Sequence, residues 1–214
     1  MKVVNPDFSL ISRFRSERDW ICFDVVYIGD NSVAVTSSVT INIFNVQNKK
    51  AKKTLNIDSA NYGVTLNDGK LIYCSEDKGL KMISLSYESI NSITTRKMSS
   101  LTKVATHGDK LFYTNEINHN ITCCDFSRNT VWTFNESSIL NHQFGISVDN
   151  DGNVYVVGAW FHNMVVISTY GRRYRQLLSK KDGLNCPKAV VYDRSHNKLL
   201  IANESKNAFV YDVV

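Results

Sequence analysis

A short strand pattern recurs five times along this 214-residue chain at nearly constant spacing. Each copy is an apolar run that follows a polar turn and precedes a second apolar run. The equivalent positions Val33, Leu71, Leu111, Val154 and Leu199 are separated by steps of 38, 40, 43 and 45 residues. A repeat of about 40 residues with several short strands per unit is typical of β-propellers. The repeat therefore predicts an all-β fold, a β-propeller of four-stranded blades.

The repeat places five blades in a single domain over residues 1–214. We expect these blades at residues 20–57, 58–97, 98–136, 137–180 and 181–214. The fifth unit ends after three strands, and residues 8–14 form a strand-like run that could supply the fourth. Such pairing of the two chain ends protects an edge strand from unwanted pairing. It predicts a closed five-bladed ring; the alternative is that residues 8–14 belong to the truncated first blade of a six-bladed ring.

The net charge and the cysteines indicate which ligands and which cellular compartment suit this protein. The net charge of +5 permits contact with nucleic acid but does not argue for it. The chain has five cysteines, an odd number, and no two of them have C-x-x-C spacing. This favours reduced thiols in an intracellular protein over a disulfide framework. With no secretory signal and no apolar run of 18 residues, we expect a cytoplasmic protein without a transmembrane helix.

Oxygen-bearing side chains at Asp149, Asp151 and Asn153 have the spacing that opens a calcium-binding loop. The twelfth position of such a loop needs a bidentate Glu, and here it is Trp160. The segment is therefore predicted to be a tight β-turn. The five histidines are scattered without metal-ligand spacing, so no metal, cofactor or catalytic residue is expected.

Three large aromatic residues flank strands instead of lying in their middles: Trp160, Phe161 and Tyr170. Exposed aromatic side chains in turns are frequent hot spots of protein–protein interfaces. We therefore regard these residues as candidate partner-binding residues. The alternative is that they fill the gaps between blades.

Basic residues form two clusters near the predicted outer hairpins. The first contains Lys49, Lys50, Lys52 and Lys53. The second mixes charge with an aromatic ring, as RNA-binding surfaces do; it comprises Arg172, Arg173, Tyr174, Arg175, Lys180 and Lys181. The second cluster is a candidate nucleic-acid surface, and the alternative is that both clusters are solvated turns that protect sheet edges.

The fourth repeat carries a family resemblance. Its run Phe144-Gly145-Ile146-Ser147-Val148-Asp149 is followed by Gly152-Asn153-Val154-Tyr155-Val156 and then by Gly171. This pattern resembles an NHL repeat. From about residue 8 onward, the chain is similar to the C-terminal propeller of tripartite-motif (TRIM-like) proteins of invertebrates. The resemblance is carried by residues 24–35, 78–85 and 145–157.

In that family a RING domain, B-boxes and a coiled coil precede the propeller, and the propeller selects the substrate for ubiquitination. This chain has none of the zinc-ligand spacing of those modules, so any ligase activity would reside in a missing RING domain. Any oligomerisation would come from an upstream coiled coil.

The resemblance implies a non-catalytic protein-binding propeller, the substrate- or partner-recognition module of a TRIM-like ubiquitin ligase. One alternative is a propeller that binds single-stranded RNA, and another is a metal-dependent propeller hydrolase or lyase.

Overall fold

The computed structural model describes residues 3–4, 22–204 and 207–213. Within them the chain forms five four-stranded antiparallel sheets, and the helical structure there is a single 3₁₀ turn at Lys180–Asp182. One sheet corresponds to each sequence repeat. The fold is a five-bladed β-propeller, which confirms the predicted fold class. No helix in the described part of the chain is long and apolar enough to cross a membrane.

The chain opens with the short strand β1 (Val3–Val4). Among the described residues, 22–104 form one compact unit with two sheets. Sheet one consists of β2 (Asp24–Gly29), β3 (Ser32–Ser37), β4 (Thr40–Asn45) and β5 (Lys50–Asn56). Sheet two consists of β6 (Asn61–Asn67), β7 (Lys70–Ser75), β8 (Gly79–Ser84) and β9 (Ile90–Ser92).

A second compact unit contains the described residues 105–204 and 207–213 together with β1. Sheet three consists of β10 (Val104–His107), β11 (Lys110–Asn115), β12 (Asn120–Asp125) and β13 (Thr130–Phe134). Sheet four consists of β14 (Gln143–Val148), β15 (Val154–Gly158), β16 (Asn163–Ile167) and β17 (Tyr174–Leu178). Sheet five contains β18 (Pro187–Asp193), β19 (Lys198–Asn203) and β20 (Ala208–Asp212).

Sheet five draws its fourth strand from the N-terminal end of the chain. The strand β1 pairs antiparallel with β20, with Val3 opposite Tyr211 and Val4 opposite Val210. In the other four sheets the strands lie side by side in chain order. Residues 8–14, for which the sequence predicts the pairing strand, lie outside the described residues.

The inner strand β15 of sheet four is covered on both faces, since each of its residues is buried. Adjacent residues of a strand face opposite sides, so Val154 and Val156 pack with Phe112 of sheet three, while Tyr155 and Val157 pack toward sheet five. Burying each such side chain contributes about 1.5–3 kcal/mol. These apolar contacts hold the turns at both ends of sheet four in place.

The structure explains why the NHL-like pattern has a glycine at position 145. A Cβ at this position would lie 2.8 Å from the backbone nitrogen of Val190 in β18. The first strands of sheets four and five therefore approach too closely for any side chain. A glycine is required here because of this contact between sheets.

The cysteines are all free thiols, Cys22 being exposed and Cys186 partly exposed. Burial raises the pKa of Cys74 and Cys123 to about 12 and that of Cys124 to about 11. Such thiols remain protonated and unreactive near neutral pH.

Candidate binding surfaces

The acidic turn between β14 and β15 is closed by its own hydrogen bonds. The Asp149 side chain is buried, and its Oδ1 accepts the N–H groups of Asp151 (2.9 Å) and Asn153 (2.8 Å). Its Oδ2 accepts Nδ2 of Asn153 (2.9 Å) and the hydroxyl of Tyr155 (3.1 Å). Both carboxylate oxygens are thus used within the turn. The predicted β-turn is confirmed, and the Asp149 oxygens are already occupied by protein donors.

Two of the histidines, His162 and His196, lie in turns. Nδ1 of His162 accepts the backbone N–H of Cys186 at 2.8 Å. Asp193, Ser195 and His196 lie together in one exposed turn, but the same nitrogen, Nδ1 of His196, contacts both of the others. A catalytic triad needs the two ring nitrogens for the two partners. Across residues 3–4, 22–204 and 207–213, no group of three or more His, Cys, Asp or Glu side chains could hold a metal ion.

The first candidate surface centres on the turn between β15 and β16. There the side chains of Trp160 and Phe161 are 63% and 45% exposed. The indole of Trp160 meets the ring of His142 edge to face, with centroids 4.3 Å apart. This contact holds one edge of the indole, so the exposed ring is presented in a defined orientation.

Charged groups lie next to His142, the residue under Trp160, and to its neighbour Phe144. Nδ1 of His142 lies 3.1 Å from Oε1 of Glu116, and its ring is 5.4 Å from that of Phe144. Nζ of Lys188 lies 3.6 Å from the centre of the Phe144 ring and 3.5 Å from Oε1 of Glu204. We define the Trp160 surface as Trp160, Phe161, His142, Phe144 and Lys188.

The second candidate surface begins at the turn between β16 and β17. Ser168 organises this turn, since its carbonyl accepts the N–H of Gly171 (2.8 Å) and its Oγ accepts the N–H of Arg173 (3.2 Å). Tyr170, at the tip, is 76% exposed. The turn rests on Trp132 of sheet three, whose Nε1 donates to the carbonyl of Thr169 at 3.0 Å.

Gly171 allows the turn to lie directly on the Trp132 ring. Its φ is +71°, a conformation that favours glycine, and a Cβ would lie 2.5 Å from the Trp132 ring. The turn is therefore shaped by the indole beneath it as well as by its own hydrogen bonds.

Two clefts flank Arg173. The one on the side of sheet three has a volume of ≈ 800 Å³, and the one on the side of sheet five has a volume of ≈ 630 Å³. We call the two together the arginine groove. Among the residues that line it are Val131, Trp132, Tyr170, Arg172, Arg173, Tyr174, Arg175, Leu177, Leu199 and Val213.

The charge of the arginine groove is not neutralised within the described residues, where no carboxylate lies within 4.0 Å of the guanidinium groups of Arg172, Arg173 or Arg175. Glu136 lies beside Tyr174 and does not pair with these arginines. Its Oε2 accepts the hydroxyl of Tyr174 at 3.1 Å. This hydrogen bond raises the pKa of Tyr174. The groove therefore offers positive charge to a ligand.

The structure regroups the residues singled out from sequence. Tyr170 lies at the end of β16 opposite Trp160 and Phe161, roughly 17 Å away at 3.3 Å per strand residue. It joins the arginines instead. Lys180 and Lys181 lie in the 3₁₀ turn at the far end of β17 and are separated from Arg172 and Arg173 by that strand. Lys180 and Lys181 also do not line either cleft.

Sequence reasoning missed Trp132 and His142, which support the two surfaces. Trp132 is 37 residues from the carbonyl to which it donates, so no local pattern links them. Its only sequence signal is its place on the fourth strand of one repeat, beside the corresponding hairpin of the next.

Comparisons with known proteins support the fold class. A scan against protein-family models and a search of curated proteins both find no match. Among solved structures, selenomethionine-substituted virginiamycin B lyase from Staphylococcus aureus is similar, with a TM-score of 0.63 and 17% identity over 88% of this chain and 69% of that chain. A chain from the crystal structure of a nidogen/laminin complex is similar with a TM-score of 0.66 and 15% identity, over 85% of this chain and 78% of that chain. At these identities the likeness shows a shared β-propeller fold and leaves function to be argued from the surfaces.

Proposed function

We propose that this chain is a non-catalytic binding module that recognises a protein partner through the Trp160 surface. The observation that carries the proposal is the exposed Trp160–Phe161 pair, in which the indole lies against His142; the ring of Phe144 next to His142 carries Lys188, which pairs with Glu204. A rigid aromatic anchor with a polar rim is the usual composition of an interface hot spot. The solved structure of a nidogen/laminin complex, which contains a chain of similar fold, gives this reading a precedent at the level of fold.

The resemblance to TRIM-like propellers gives the proposal a cellular role. On that reading the chain selects a ubiquitination substrate or partner in the cytoplasm, and a RING domain outside this chain supplies the ligase activity. Two residues of the NHL-like pattern have structural roles, since Gly145 permits the close approach of β18 and Asp149 closes the turn before β15. No cofactor is part of this function.

A double variant tests the Trp160 surface. We expect Trp160→Ala with Phe161→Ala to abolish capture of the partner while the melting temperature stays within a few degrees of wild type, because exposed side chains contribute little to folding. The matched control is Tyr87→Ala, which removes an aromatic ring that is 87% exposed in a turn of sheet two. Capture would be measured by quantitative mass spectrometry of proteins bound to immobilised wild type and variants.

Two results would contradict this proposal. If the double variant loses partner capture and also unfolds, the rings fill a structural gap. If Tyr87→Ala lowers capture equally, the binding is not specific to the Trp160 surface.

Single-stranded RNA is the second candidate, and it is favoured by the guanidinium groups near Tyr170, which form no ion pair with the described residues. RNA binding would depend steeply on salt and would be lost on charge reversal of Arg172, Arg173 and Arg175. Fluorescence anisotropy with an oligouridylate at 50 and 300 mM NaCl tests it, and binding that is absent or insensitive to salt would exclude it.

A further inference from the structure

We propose that the arginine groove binds an extended acidic polypeptide segment, which pairs as an added strand with the free edge of β17. This site is separate from the Trp160 surface and lies at the other end of β16. The segment we infer alternates acidic and apolar side chains. The inference therefore goes beyond partner binding at Trp160 and names the chemistry of a second contact.

The first support is the free edge itself. β17 is the outermost strand of sheet four, and within the described residues it pairs only with β16. Its outward N–H and C=O groups form a row available for main-chain pairing. Addition of an extended peptide to such an edge is a general mode of peptide recognition.

The second support is the direction of the arginine side chains. Tyr174 packs edge to face on Phe134 of sheet three, with ring centroids 5.1 Å apart. Neighbouring strand residues point to opposite faces, so Arg175 lies on the side of sheet five. Arg173, in the turn just before β17, borders the clefts on both sides. Both arginines line the ≈ 630 Å³ cleft on the side of sheet five, which Leu199 also lines.

The third support is the match of charge and spacing. Arg173 and Arg175 are two residues apart, so their side chains repeat at about 6.7 Å, as do alternate side chains of an extended peptide. Alternate side chains of such a peptide face opposite sides, and the cleft on the side of sheet three is lined by Val131 and Trp132. Carboxylates on one face of the peptide can therefore meet the guanidinium groups, while the apolar side chains on its other face cover Val131 and Trp132.

The rings of the groove favour a peptide over RNA. Sequence-tolerant RNA binding uses several exposed rings on which successive bases stack. Here Trp132 lies beneath Gly171, and Tyr174 is packed against Phe134 with its hydroxyl on Glu136. Tyr170 alone of the three presents a largely exposed ring.

The test uses a fluorescently labelled octapeptide of alternating Glu and Val, titrated with the full chain and followed by anisotropy. We expect saturable binding that weakens at least tenfold in Arg173→Glu with Arg175→Glu, because each reversal replaces an attraction by a repulsion. The matched control is Lys49→Glu with Lys50→Glu in sheet one, which should bind as wild type does. Far-ultraviolet circular dichroism of each variant verifies that it is folded.

A second peptide tests the strand pairing. N-methylation of alternate residues removes the donors needed for edge pairing and keeps the charge. We expect it to weaken binding about tenfold, as one or two hydrogen bonds predict. Equal binding of the methylated peptide would overturn strand addition, and equal binding of a Lys–Val octapeptide would overturn the recognition of acidic side chains.

Other outcomes separate this proposal from those above. Tighter binding of an equally charged oligouridylate than of the peptide would overturn it in favour of RNA. Trp160→Ala with Phe161→Ala should leave peptide binding unchanged; loss of peptide binding in that folded variant would overturn the assignment to the arginine groove. If partner capture at Trp160 fails and the peptide still binds, only the proposed function fails.

Discussion

Two outer hairpins of this protein are similar in sequence and different in structure. One joins β4 to β5 in sheet one and carries Lys52 and Lys53; the other joins β16 to β17 in sheet four and carries the arginines. In the first, Nζ of Lys52 donates to Oγ of Ser32 (2.7 Å) and Lys53 pairs with Glu88 (2.6 Å). In the second, the guanidinium groups line a groove and have no ion pair in the described chain. A basic run in the sequence therefore indicates exposure, and its neighbours decide whether the charge is available.

The two turns are also held by different forces. In the first, Oδ1 of Asn45 accepts the N–H groups of Gln47 (3.1 Å) and Asn48 (2.9 Å), so the turn is closed by local contacts. The second depends on Trp132 from another sheet. The turn of the first hairpin is closed by residues within it, whereas the turn of the second also rests on the packing of sheet three on sheet four.

The largest expected effect comes from removing that tertiary support. We expect Trp132→Ala to lower the free energy of unfolding by about 3 kcal/mol, at the low end for buried aromatic truncations because the ring is only partly buried. Asn45→Ala, its counterpart in the first hairpin, should cost about 1 kcal/mol for the lost turn hydrogen bonds. Urea unfolding followed by tryptophan fluorescence and circular dichroism measures both. Equal losses would contradict the contrast between tertiary and local support.

The next largest effect is expected from replacing the residue with left-handed backbone conformation in each turn. We expect Gly171→Ala to cost about 2 kcal/mol, because it adds backbone strain and a contact with the Trp132 ring. Lys49 occupies the left-handed position of the first turn with φ +58° and no glycine. Lys49→Gly should leave the free energy of unfolding unchanged or raise it by up to about 1 kcal/mol. A gain of stability in Gly171→Ala would show that the turn is not seated on Trp132.

Removing the basic side chains of the two hairpins should change the free energy of unfolding by smaller amounts. Lys53→Ala should cost about 0.5 kcal/mol, the usual value for an exposed pair, and the loss should vanish in 1 M NaCl. Arg175→Ala should be neutral within about 0.5 kcal/mol at both salt concentrations, since it breaks no pair in the described structure. A loss for Arg175→Ala that salt removes would reveal a carboxylate partner and refute the free-charge description of the groove.

The smallest effect is a shift of one titration. The Glu136 carboxylate raises the pKa of Tyr174, so the contact stabilises the fold below the ordinary tyrosine pKa and is lost as pH rises through the raised value. Glu136→Gln should return the pKa of Tyr174 toward its ordinary value. Ultraviolet titration of the variant, with Tyr174→Phe to identify the signal, measures the change. An unchanged Tyr174 titration in Glu136→Gln would argue against the hydrogen bond.

Much of the fold could be predicted from the chain because its signals are local. The forty-residue repeat gave five sheets, and the Asp-Gly turn at Asp151 and Gly152 formed as expected, since a turn is set by residues two to four apart. The strand that completes sheet five is β1 at Val3–Val4, and this pairing could not be located from sequence. Pairing of chain ends depends on register, which is specified by distant residues.

The candidate surfaces could be predicted only in part. The sequence identified Trp160, Tyr170 and the arginines as exposed residues of unusual chemistry, because large aromatics and arginine runs in turns are recognisable one by one. It grouped them by proximity in the chain, and so it placed Tyr170 with Trp160, and Lys180 with Arg173. In the structure a strand separates each of these pairs.

The sequence by itself determined the repeat, the blades and the residue types at each turn, because hydrophobic alternation and turn chemistry act over a few residues. The tertiary structure alone decided which turns share a surface, that Trp132 supports Gly171, and that the three guanidinium groups beside a cleft have no ion pair with any described residue. These features arise where separate sheets pack together. The contacting residues there are tens of positions apart, so no pattern along the chain records them.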